Sequence, residues 1–389
     1  MRGGPPAKIA DRQLAAREAI RFPAAARPKY DMSRIRIINS ALAALAVVVI
    51  AAGAYGGGGE FAKIIGAAEA ESGFSGVVLV ATGGKIDYAA PVGMADRRAK
   101  TRITTNSKFR IASITKAFTA VLVMKLYEQG KIDLNATIGR YLPDYTGPGR
   151  DRVTIHQLLT YSSGIADDSG KGGMLPYRSP LTLDEFIERY CSGGLTFEPG
   201  SRSAYANTEY IILGKIIENV AGMPFERFLR AEILSPLKMR DSGMARSGRP
   251  VRRLVRSYTL DTAAGSLNED EAYLPENYFA AAAMYSTAAD LLKFDAALFT
   301  GRLLRPKTAE LMLRFYPELG YTAYGLWGSD GYGNFAERFY YRTGGILGST
   351  SNWIRTMATK KTIIVMSNTN AADLFALSEK LYLASIGTK

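Results

Sequence analysis

Strand-like segments occur at both ends of this chain, with helical segments between them. Near the beginning, the apolar run Gly76 to Ala81 predicts a buried strand, and the turn after it predicts a hairpin with Ile86 to Ala89. The last third holds four more strand candidates, at 324–328, 339–341, 351–354 and 362–366. This distribution favours a sheet assembled from both ends of the chain and interrupted by a helical insertion. We therefore expect an α/β (α+β) fold arranged in layers.

The first 36 residues carry nine Lys/Arg against three Asp/Glu, and so supply +6 of the formal net charge of +13. We interpret residues 1–36 as a basic N-terminal tail; the alternative is that translation starts at Met32. Residues 37–56 follow as a signal peptide or a single membrane anchor. The run Ala41 to Ala54 has signal-peptide length and ends in small residues, whereas residues 37–55 together approach the length of a span.

Either interpretation predicts that the remainder, residues 57–389, is exported. It would be periplasmic, or anchored in the cytoplasmic membrane and facing outward. Outside the N-terminal tail the chain is only mildly basic, and no stripe of Arg/Lys interleaved with aromatic residues indicates nucleic-acid binding.

The chain has one cysteine, Cys191, and one histidine, His156. An internal disulfide and a four-thiolate metal site are therefore excluded, and we expect neither a metal nor a cofactor. Cys191 lies in a helix-like stretch and is expected to be a small buried side chain. His156 lies on a short apolar-flanked helix, where a structural or surface role is the default interpretation.

Ser113 and Lys116 stand three residues apart at the start of an apolar helix that ends at Gly130. This spacing places both side chains on one helix face. An ammonium group there can favour the serine anion, a neutral lysine can accept its proton, and the helix N-terminus adds partial positive charge. A second Ser-x-x-Lys match, Ser235 to Lys238, contains a proline and is interpreted as a chain reversal.

Tyr205 and Asn207 precede a strongly periodic helix. Tyr205 would be a proton acceptor if nearby cations lowered its pKa. The amide of Asn207 can position a substrate carbonyl or the lysine, although the residue also stands where an N-cap belongs.

Arg342-Thr343-Gly344-Gly345 follows the aromatic strand candidate at 339–341. Glycines at a sheet edge let a substrate backbone approach closely, and the amides of Gly345 and Ser113 would together form an oxyanion hole. The alternative interpretation of this segment is an ordinary turn that ends the strand.

These segments resemble, in order and separation, three motifs of the serine β-lactamase and penicillin-binding-protein superfamily. The similarity is greatest to the branch that contains class C β-lactamases, DD-carboxypeptidases, D-aminopeptidases and esterases. Residues 113–116 resemble its Ser-x-x-Lys motif, residues 205–207 its Tyr-x-Asn motif, and residues 342–345 its Lys-Thr-Gly or His-x-Gly motif. The connecting phrases at 130–134, 155–165 and 197–200 match as well, so that the resemblance covers roughly residues 60–385.

The resemblance implies a β-lactamase/DD-peptidase-like domain over 57–389, with a mostly antiparallel sheet flanked by helices. The resemblance also implies an all-helical subdomain at about 140–280, with Ser113 at the junction between the two parts. It also implies an acyl-enzyme on Ser113, formed with the help of Lys116 and Tyr205. The residues implied to bind substrate are Asn207, Arg342, Thr343, Gly344 and Gly345. The substrate would be a D-amino-acid peptide, amide, lactam or small ester, cell-wall peptides included, and we expect a monomer.

Arg342 departs from the family pattern, which has lysine or histidine at this position. Arginine can grip a carboxylate with two hydrogen bonds or stabilise a tyrosinate, but it cannot relay a proton. The alternative hypothesis is therefore a catalytically weak or inactive relative that binds cell-wall peptides. The Tyr-Ala-Asn sequence at 205–207 argues against class A enzymes, which have Ser-Asp-Asn there.

Overall fold

The computed structural model describes residues 58–387. The N-terminal tail predicted at 1–36 and the signal peptide or anchor predicted at 37–56 lie outside these residues. Within 58–387, no helix is both long enough and apolar enough to cross a bilayer.

Thirteen strands and twelve α-helices are formed over the described residues. The strands are β1 Gly76–Thr82, β2 Lys85–Val92, β3 Met94–Asp96, β4 Thr101–Arg102, β5 Phe109–Arg110, β6 Gly243–Met244, β7 Tyr258–Asp261, β8 Ser266–Glu269, β9 Met284–Ser286, β10 Trp327–Ser329, β11 Phe339–Ile346, β12 Ser349–Thr356 and β13 Lys361–Ser367. The helices are α1 Gly58–Ser72, α2 Thr115–Glu128, α3 Ile138–Tyr141, α4 Ile155–Leu159, α5 Asp168–Lys171, α6 Leu183–Tyr190, α7 Thr208–Ala221, α8 Phe225–Leu229, α9 Phe279–Ala282, α10 Ala288–Phe299, α11 Pro306–Leu313 and α12 Leu374–Gly387.

Six strands form the main sheet, in the order β10-β11-β12-β13-β1-β2, and every neighbouring pair is antiparallel. Strand β1 pairs along its whole length with β13, so that Gly76 lies opposite Ser367 and Thr82 opposite Lys361. The predicted sheet, assembled from both ends of the chain and mostly antiparallel, is confirmed. The fold is a mixed α/β arrangement, as expected.

Helices cover both faces of this sheet, because successive side chains of a strand point to opposite sides. On β12, the Trp353 indole donates to the buried carboxylate of Asp295 in α10 at 2.8 Å. The neighbouring Asn352 amide donates in the other direction, to Ser378 Oγ of α12 at 2.9 Å. The sheet is therefore the middle layer of three.

Helix α2 is the central helix of the domain. Eleven of its fourteen residues are buried, which is the pattern of a helix surrounded by protein on all sides. Phe118 stacks on Phe294 of α10, with ring centroids 3.8 Å apart. The turn that precedes α2 lies against β11 and β12, and the helix itself packs on α7 and α9. The start of α2 thus lies between the sheet and the helical part of the chain.

The region predicted as all-helical, about 140–280, contains strands as well as helices. Helices α3 to α8 and the start of α9 lie in it, but β6, β7 and β8 occupy parts of 243–269. The β7–β8 hairpin closes through a tight turn in which the Asp261 carboxylate accepts hydrogen bonds from the amides of Ala263 and Ala264. Gly265 completes the turn in the left-handed region at φ 63°. The polar composition of residues 243–269 indicated loops, so the short strands β6, β7 and β8 were not predicted.

Candidate active site

Ser113 lies in a single 3₁₀ turn, Ala112–Ile114, that leads directly into α2. Ala112 holds φ at 46°, in a region that residues with a Cβ rarely adopt. Such local strain persists only where the surrounding structure enforces it, and it is concentrated at functional sites. The turn directs the half-buried serine side chain toward Lys116, in the first turn of the helix.

The three residues predicted to carry out catalysis are in mutual contact. The Oγ of Ser113 and the hydroxyl of Tyr205 lie 2.6 Å apart. The Nζ of Lys116 donates to Ser113 Oγ at 3.1 Å and to the Tyr205 hydroxyl at 2.9 Å. It also donates to Asn207 Oδ1 at 2.8 Å and to the carbonyl of Ala281 at 3.2 Å. The lysine head is therefore fixed among four acceptors, and its side chain is 0% exposed.

The electrostatics of the cluster move both proton carriers toward neutral pH. Burial lowers the pKa of Lys116 to about 8, although the adjacent Tyr205 opposes this shift. Burial alone would raise the pKa of Tyr205, but the neighbouring Lys116 and Arg342 cations outweigh it, so that the pKa lies below its usual value. A proton can therefore be held by either group at modest cost.

Asn207 serves the lysine rather than the helix. It occupies the residue before α7, but its side chain makes no capping hydrogen bond. Its Oδ1 accepts from Lys116 instead, and its Nδ2 donates to the hydroxyl of Tyr177 at 3.3 Å. Of the three interpretations open for this residue, the positioning of the lysine is the one whose contacts the structure contains.

Arg342 is fully buried behind the nucleophile. Its Nε donates to the carbonyl oxygen of Ser113 at 2.8 Å, one terminal nitrogen donates to the Tyr161 hydroxyl at 2.9 Å, and the other donates to the Tyr205 hydroxyl at 3.2 Å. The Trp327 ring lies against the guanidinium, 4.4 Å from its carbon. All three nitrogens are thus engaged by the protein. This geometry corresponds to stabilisation of the Tyr205 oxygen, not to an arm extended toward a substrate carboxylate.

Residues Arg342 to Gly345 lie inside β11, not in a turn after the strand. Strand β10 pairs only with Phe339 to Tyr341, so β11 has an open edge beyond that point. Thr343 is half-buried on this stretch and Gly345 is exposed. A Cβ on Gly344 would lie 2.2 Å from the carbonyl oxygen of Ile111 and 3.1 Å from the Ser113 amide nitrogen. The missing side chain therefore lets the strand pack directly against the backbone that carries the nucleophile.

The structure brings Ser113, Lys116, Tyr205, Asn207 and Arg342 into one cluster, with Gly344 beside it. The other singled-out residues lie elsewhere. His156 Nδ1 lies 2.7 Å from the hydroxyl of Tyr324 and makes no contact with the cluster, and Cys191 is completely buried. In the second Ser-x-x-Lys match, the Lys238 ammonium makes no hydrogen bond to Ser235 within the described chain. No group of His, Cys, Asp or Glu in residues 58–387 could hold a metal ion.

Four residues near the cluster were not predicted from the sequence: Tyr161, Tyr177, Glu209 and Trp327. Tyr161 is buried, lies at φ 56° and accepts from Arg342. Glu209 is buried in α7, and burial raises its pKa to about 7. Tyr161 belongs to a phrase that resembles the family, and that resemblance was the one signal that could have singled it out.

Comparison with known proteins identifies the family. The beta-lactamase family model matches residues 61–387 of this chain. The chain belongs to the serine beta-lactamase and penicillin-binding-protein superfamily. Its membership confirms the resemblance that the three motifs predicted.

Several members of this superfamily are similar to the chain. Esterase EstB of Burkholderia gladioli is 30% identical over 266 residues, which cover 60% of this chain and 67% of that protein. The crystal structure of D-amino acid amidase from Ochrobactrum anthropi SV3, complexed with D-phenylalanine, has a TM-score of 0.76 and 26% identity. That similarity covers 86% of this chain and 99% of the amidase. The octameric penicillin-binding protein homologue from Pyrococcus abyssi has a TM-score of 0.71 and 25% identity, over 85% of this chain and 77% of that one. The chain is thus a member of a family of serine hydrolases with esterase, amidase and penicillin-binding relatives.

Proposed function

We propose that this protein is an exported serine hydrolase that forms an acyl-enzyme on Ser113. The observation that carries the proposal is the Ser113–Lys116–Tyr205 cluster, whose three polar atoms lie 2.6 to 3.1 Å from one another around a fully buried lysine. Within residues 58–387 this amine forms no ion pair, and burial lowers its pKa to about 8, which suits it to proton transfer near neutral pH.

In the first step, the Ser113 hydroxyl transfers its proton to the Tyr205 oxygen or to the neutral Lys116 amine. The serine oxygen then bonds to the substrate carbonyl carbon, and the carbonyl oxygen takes up the negative charge. The amides of Ser113 and Gly345 would stabilise that charge at the open edge of β11. Collapse of the intermediate breaks the bond to the leaving group, which receives the proton held by Tyr205 or Lys116. Water repeats the sequence on the acyl-enzyme and restores free Ser113.

Arg342 has a supporting role in this scheme. It cannot release a proton at working pH, but its guanidinium donates to the Tyr205 oxygen and favours the deprotonated phenol. Proton relay is then left to Lys116 and Tyr205, which suffice for both steps. The substitution of arginine for the lysine or histidine of the family is therefore compatible with catalysis.

We propose a small ester, or an amide or peptide of a D-amino acid, as the substrate. Similarity to the esterase of Burkholderia gladioli and to the D-amino acid amidase supports this choice. Export rests on the apolar run at 37–56 and is tested by fusing residues 1–56 to a reporter that is active only outside the cytoplasm. Retention of the fusion in the cytoplasm would contradict it.

The direct test is covalent labelling by a fluorophosphonate or a fluorescent penicillin, together with hydrolysis of p-nitrophenyl esters. We expect wild type to be labelled and active, and Ser113→Ala to lose both properties. Ser235→Ala is the matched control, because it removes the serine of the other Ser-x-x-Lys sequence. Equal labelling of Ser113→Ala and wild type would refute the proposal. Tight binding of a cell-wall peptide by an unlabelled wild type that turns over no ester would instead support the alternative of an inactive binding relative.

A further inference from the structure

Arg110 is a cation without a partner next to the active site. It ends β5, three residues before Ser113, and its side chain is half-buried. Its Nε is buried and makes no hydrogen bond, and its guanidinium forms no ion pair with any residue of 58–387. The ring of Tyr273 lies against it, with its centroid 5.8 Å from the guanidinium carbon.

Tyr273 presents a second unsatisfied donor. Its hydroxyl is buried and has no hydrogen-bond partner among the described residues. A buried polar group left without a partner costs about 1–3 kcal/mol, and native proteins keep few of them. Two neighbouring donors with no acceptor indicate a site at which a ligand supplies the acceptor.

A row of aromatic rings connects this pair to the catalytic cluster. The Tyr273 ring packs edge-on against Tyr278, at a centroid distance of 6.0 Å. Tyr278 stacks on Tyr177 at 3.9 Å, and the Tyr177 hydroxyl accepts from Asn207, the residue that holds Lys116. One end of the row thus meets Asn207, and the other meets Arg110, close to Ser113 along the chain. Both ends of the row therefore adjoin the catalytic cluster, one through Asn207 and the other through the three-residue separation of Arg110 from Ser113.

Two carboxylates from neighbouring parts of the sequence or structure, Asp241 and Asp270, have other partners. Asp241 pairs with Lys108 at 3.1 Å and with Arg253 at 2.7 Å. Asp270 accepts from the Thr259 hydroxyl at 2.6 Å and from the amide of Gly348 at 3.0 Å. Neither carboxylate forms a hydrogen bond or an ion pair with Arg110, although burial and the nearby Asp270 both raise the pKa of the Tyr273 hydroxyl.

We propose that Arg110 and the Tyr273 hydroxyl form a subsite that binds a carboxylate of the substrate beside Ser113. The inference rests on the proposed hydrolase activity and narrows it to substrates that carry a negative charge near the scissile bond. The planar guanidinium matches the two oxygens of a carboxylate, and the phenol adds a further donor. Arg342 cannot serve this purpose, because each of its nitrogens is engaged by the protein.

The test compares p-nitrophenyl esters in matched pairs. In the first pair the acyl group is hexanoate or the monoester of adipate, which has the same number of carbons and ends in a carboxylate. In the second pair, acetate is esterified to p-nitrophenol or to its carboxylated analogue. The quantity measured is the ratio of kcat/KM for the charged ester to kcat/KM for the neutral ester, after subtraction of the rate with Ser113→Ala. We expect wild type to prefer the charged ester in at least one pair.

Arg110→Met should lower that ratio about tenfold to hundredfold, as expected for the loss of a hydrogen-bonded charge pair. Tyr273→Phe should lower it less, and Arg110→Lys should retain part of it. Arg314→Met is the control, because Arg314 also lies over a tyrosine ring, that of Tyr316 at 5.4 Å, and makes no contact with the catalytic cluster.

Fluorophosphonate labelling of each variant shows whether its nucleophile is intact. A wild type without preference in either pair overturns the subsite, as does an Arg110→Met variant whose rates fall equally for both esters. Failure of the wild type to be labelled or to hydrolyse any ester would instead overturn the proposed function, and the subsite with it.

Discussion

Replacement of Arg342 separates its electrostatic role from mere space filling. Its three nitrogens reach three different acceptors, at 2.8, 2.9 and 3.2 Å, from a position with no exposure to solvent. The single ammonium of Arg342→Lys cannot span all three, and Arg342→Met removes the charge while it keeps most of the volume. Arg342→Met should therefore lose the hydrogen bond to the Tyr205 hydroxyl, and Arg342→Lys should keep it only part of the time.

The size of the effect follows from that one contact. A hydrogen bond from a charged donor contributes about 1.5–3 kcal/mol, which corresponds to about one or two pKa units. Arg342 helps to lower the pKa of Tyr205, so its loss raises that pKa. The acid limb of kcat/KM should then move to higher pH by about one unit in Arg342→Lys and about two in Arg342→Met.

The assay is the pH dependence of kcat/KM for a neutral p-nitrophenyl ester, with thermal unfolding as the check on folding. Arg355→Lys is the matched control, because Arg355 is a buried arginine of the adjacent strand that pairs with Asp295 at 2.9 Å. It should lower the melting temperature without moving the acid limb. If the limbs of both Arg342 variants coincide with that of wild type, the guanidinium does not act on Tyr205 and the reasoning is refuted.

Three further predictions follow from the contacts of the site. Gly344→Ala should lower kcat/KM at least about a hundredfold in the ester assay, because its Cβ would lie 2.2 Å from the Ile111 carbonyl oxygen and displace the nucleophile; Gly345→Ala, with no atom within 4 Å of the added carbon, should lose less. Glu209 has its pKa raised by burial from 4.5 to about 7, so the folded state favours its protonated form and loses that stabilisation as pH rises. Thermal unfolding should therefore show Glu209→Gln gaining stability relative to wild type as the pH rises from about 4.5 to about 7, by about 3 kcal/mol, and a constant difference would contradict this. Tyr161→Phe leaves one Arg342 nitrogen without its acceptor, so steady-state kinetics should show a kcat about tenfold lower with little change in KM. Equal kcat values for the variant and wild type would show that this hydrogen bond does not contribute to catalysis.

The local parts of the site were predictable from the sequence, because they depend on short-range geometry. The spacing of Ser113 and Lys116 fixes their approach on one helix face, and the structure gives 3.1 Å between the two polar atoms. The sheet built from both chain ends followed from the placement of the apolar runs. The approach of Tyr205 to Ser113 spans 92 residues, and no periodicity reports a contact at that separation. The contact between Tyr205 and Ser113 was predicted only from the resemblance to the serine β-lactamase and penicillin-binding-protein superfamily.

The role of Arg342 needed the structure. An arginine can either bind a substrate carboxylate or stabilise a tyrosinate. Which of the two Arg342 does depends on how deeply its side chain is buried. Tyr161 and Trp327, which enclose the guanidinium, are 181 and 15 positions away from Arg342 in the sequence. The extent of β11 was also missed, because the strand candidate ended at 341 and the glycines at 344 and 345 left a sheet edge and a turn both open. The strand continues through them, since β12 supplies hydrogen-bond partners up to Ser349.

Arg342 and Arg110 are suited to different functions near Ser113. Stabilisation of the Tyr205 oxygen and binding of a substrate carboxylate were both considered for Arg342 alone. Arg342 makes a hydrogen bond from each of its three nitrogens and has no exposure, which is what stabilisation of a fixed oxygen requires, because a preorganised donor need not move during reaction. Arg110 is half-buried and has an unpaired nitrogen, which is what an exchangeable ligand requires. A flexible lysine at position 342 would alternate between Tyr205 and the substrate. The rigid guanidinium of Arg342 instead stays hydrogen-bonded to Tyr205. Recognition of a substrate carboxylate would then fall to a separate residue, and within residues 58–387 Arg110, three residues before Ser113, has a buried Nε without a hydrogen bond.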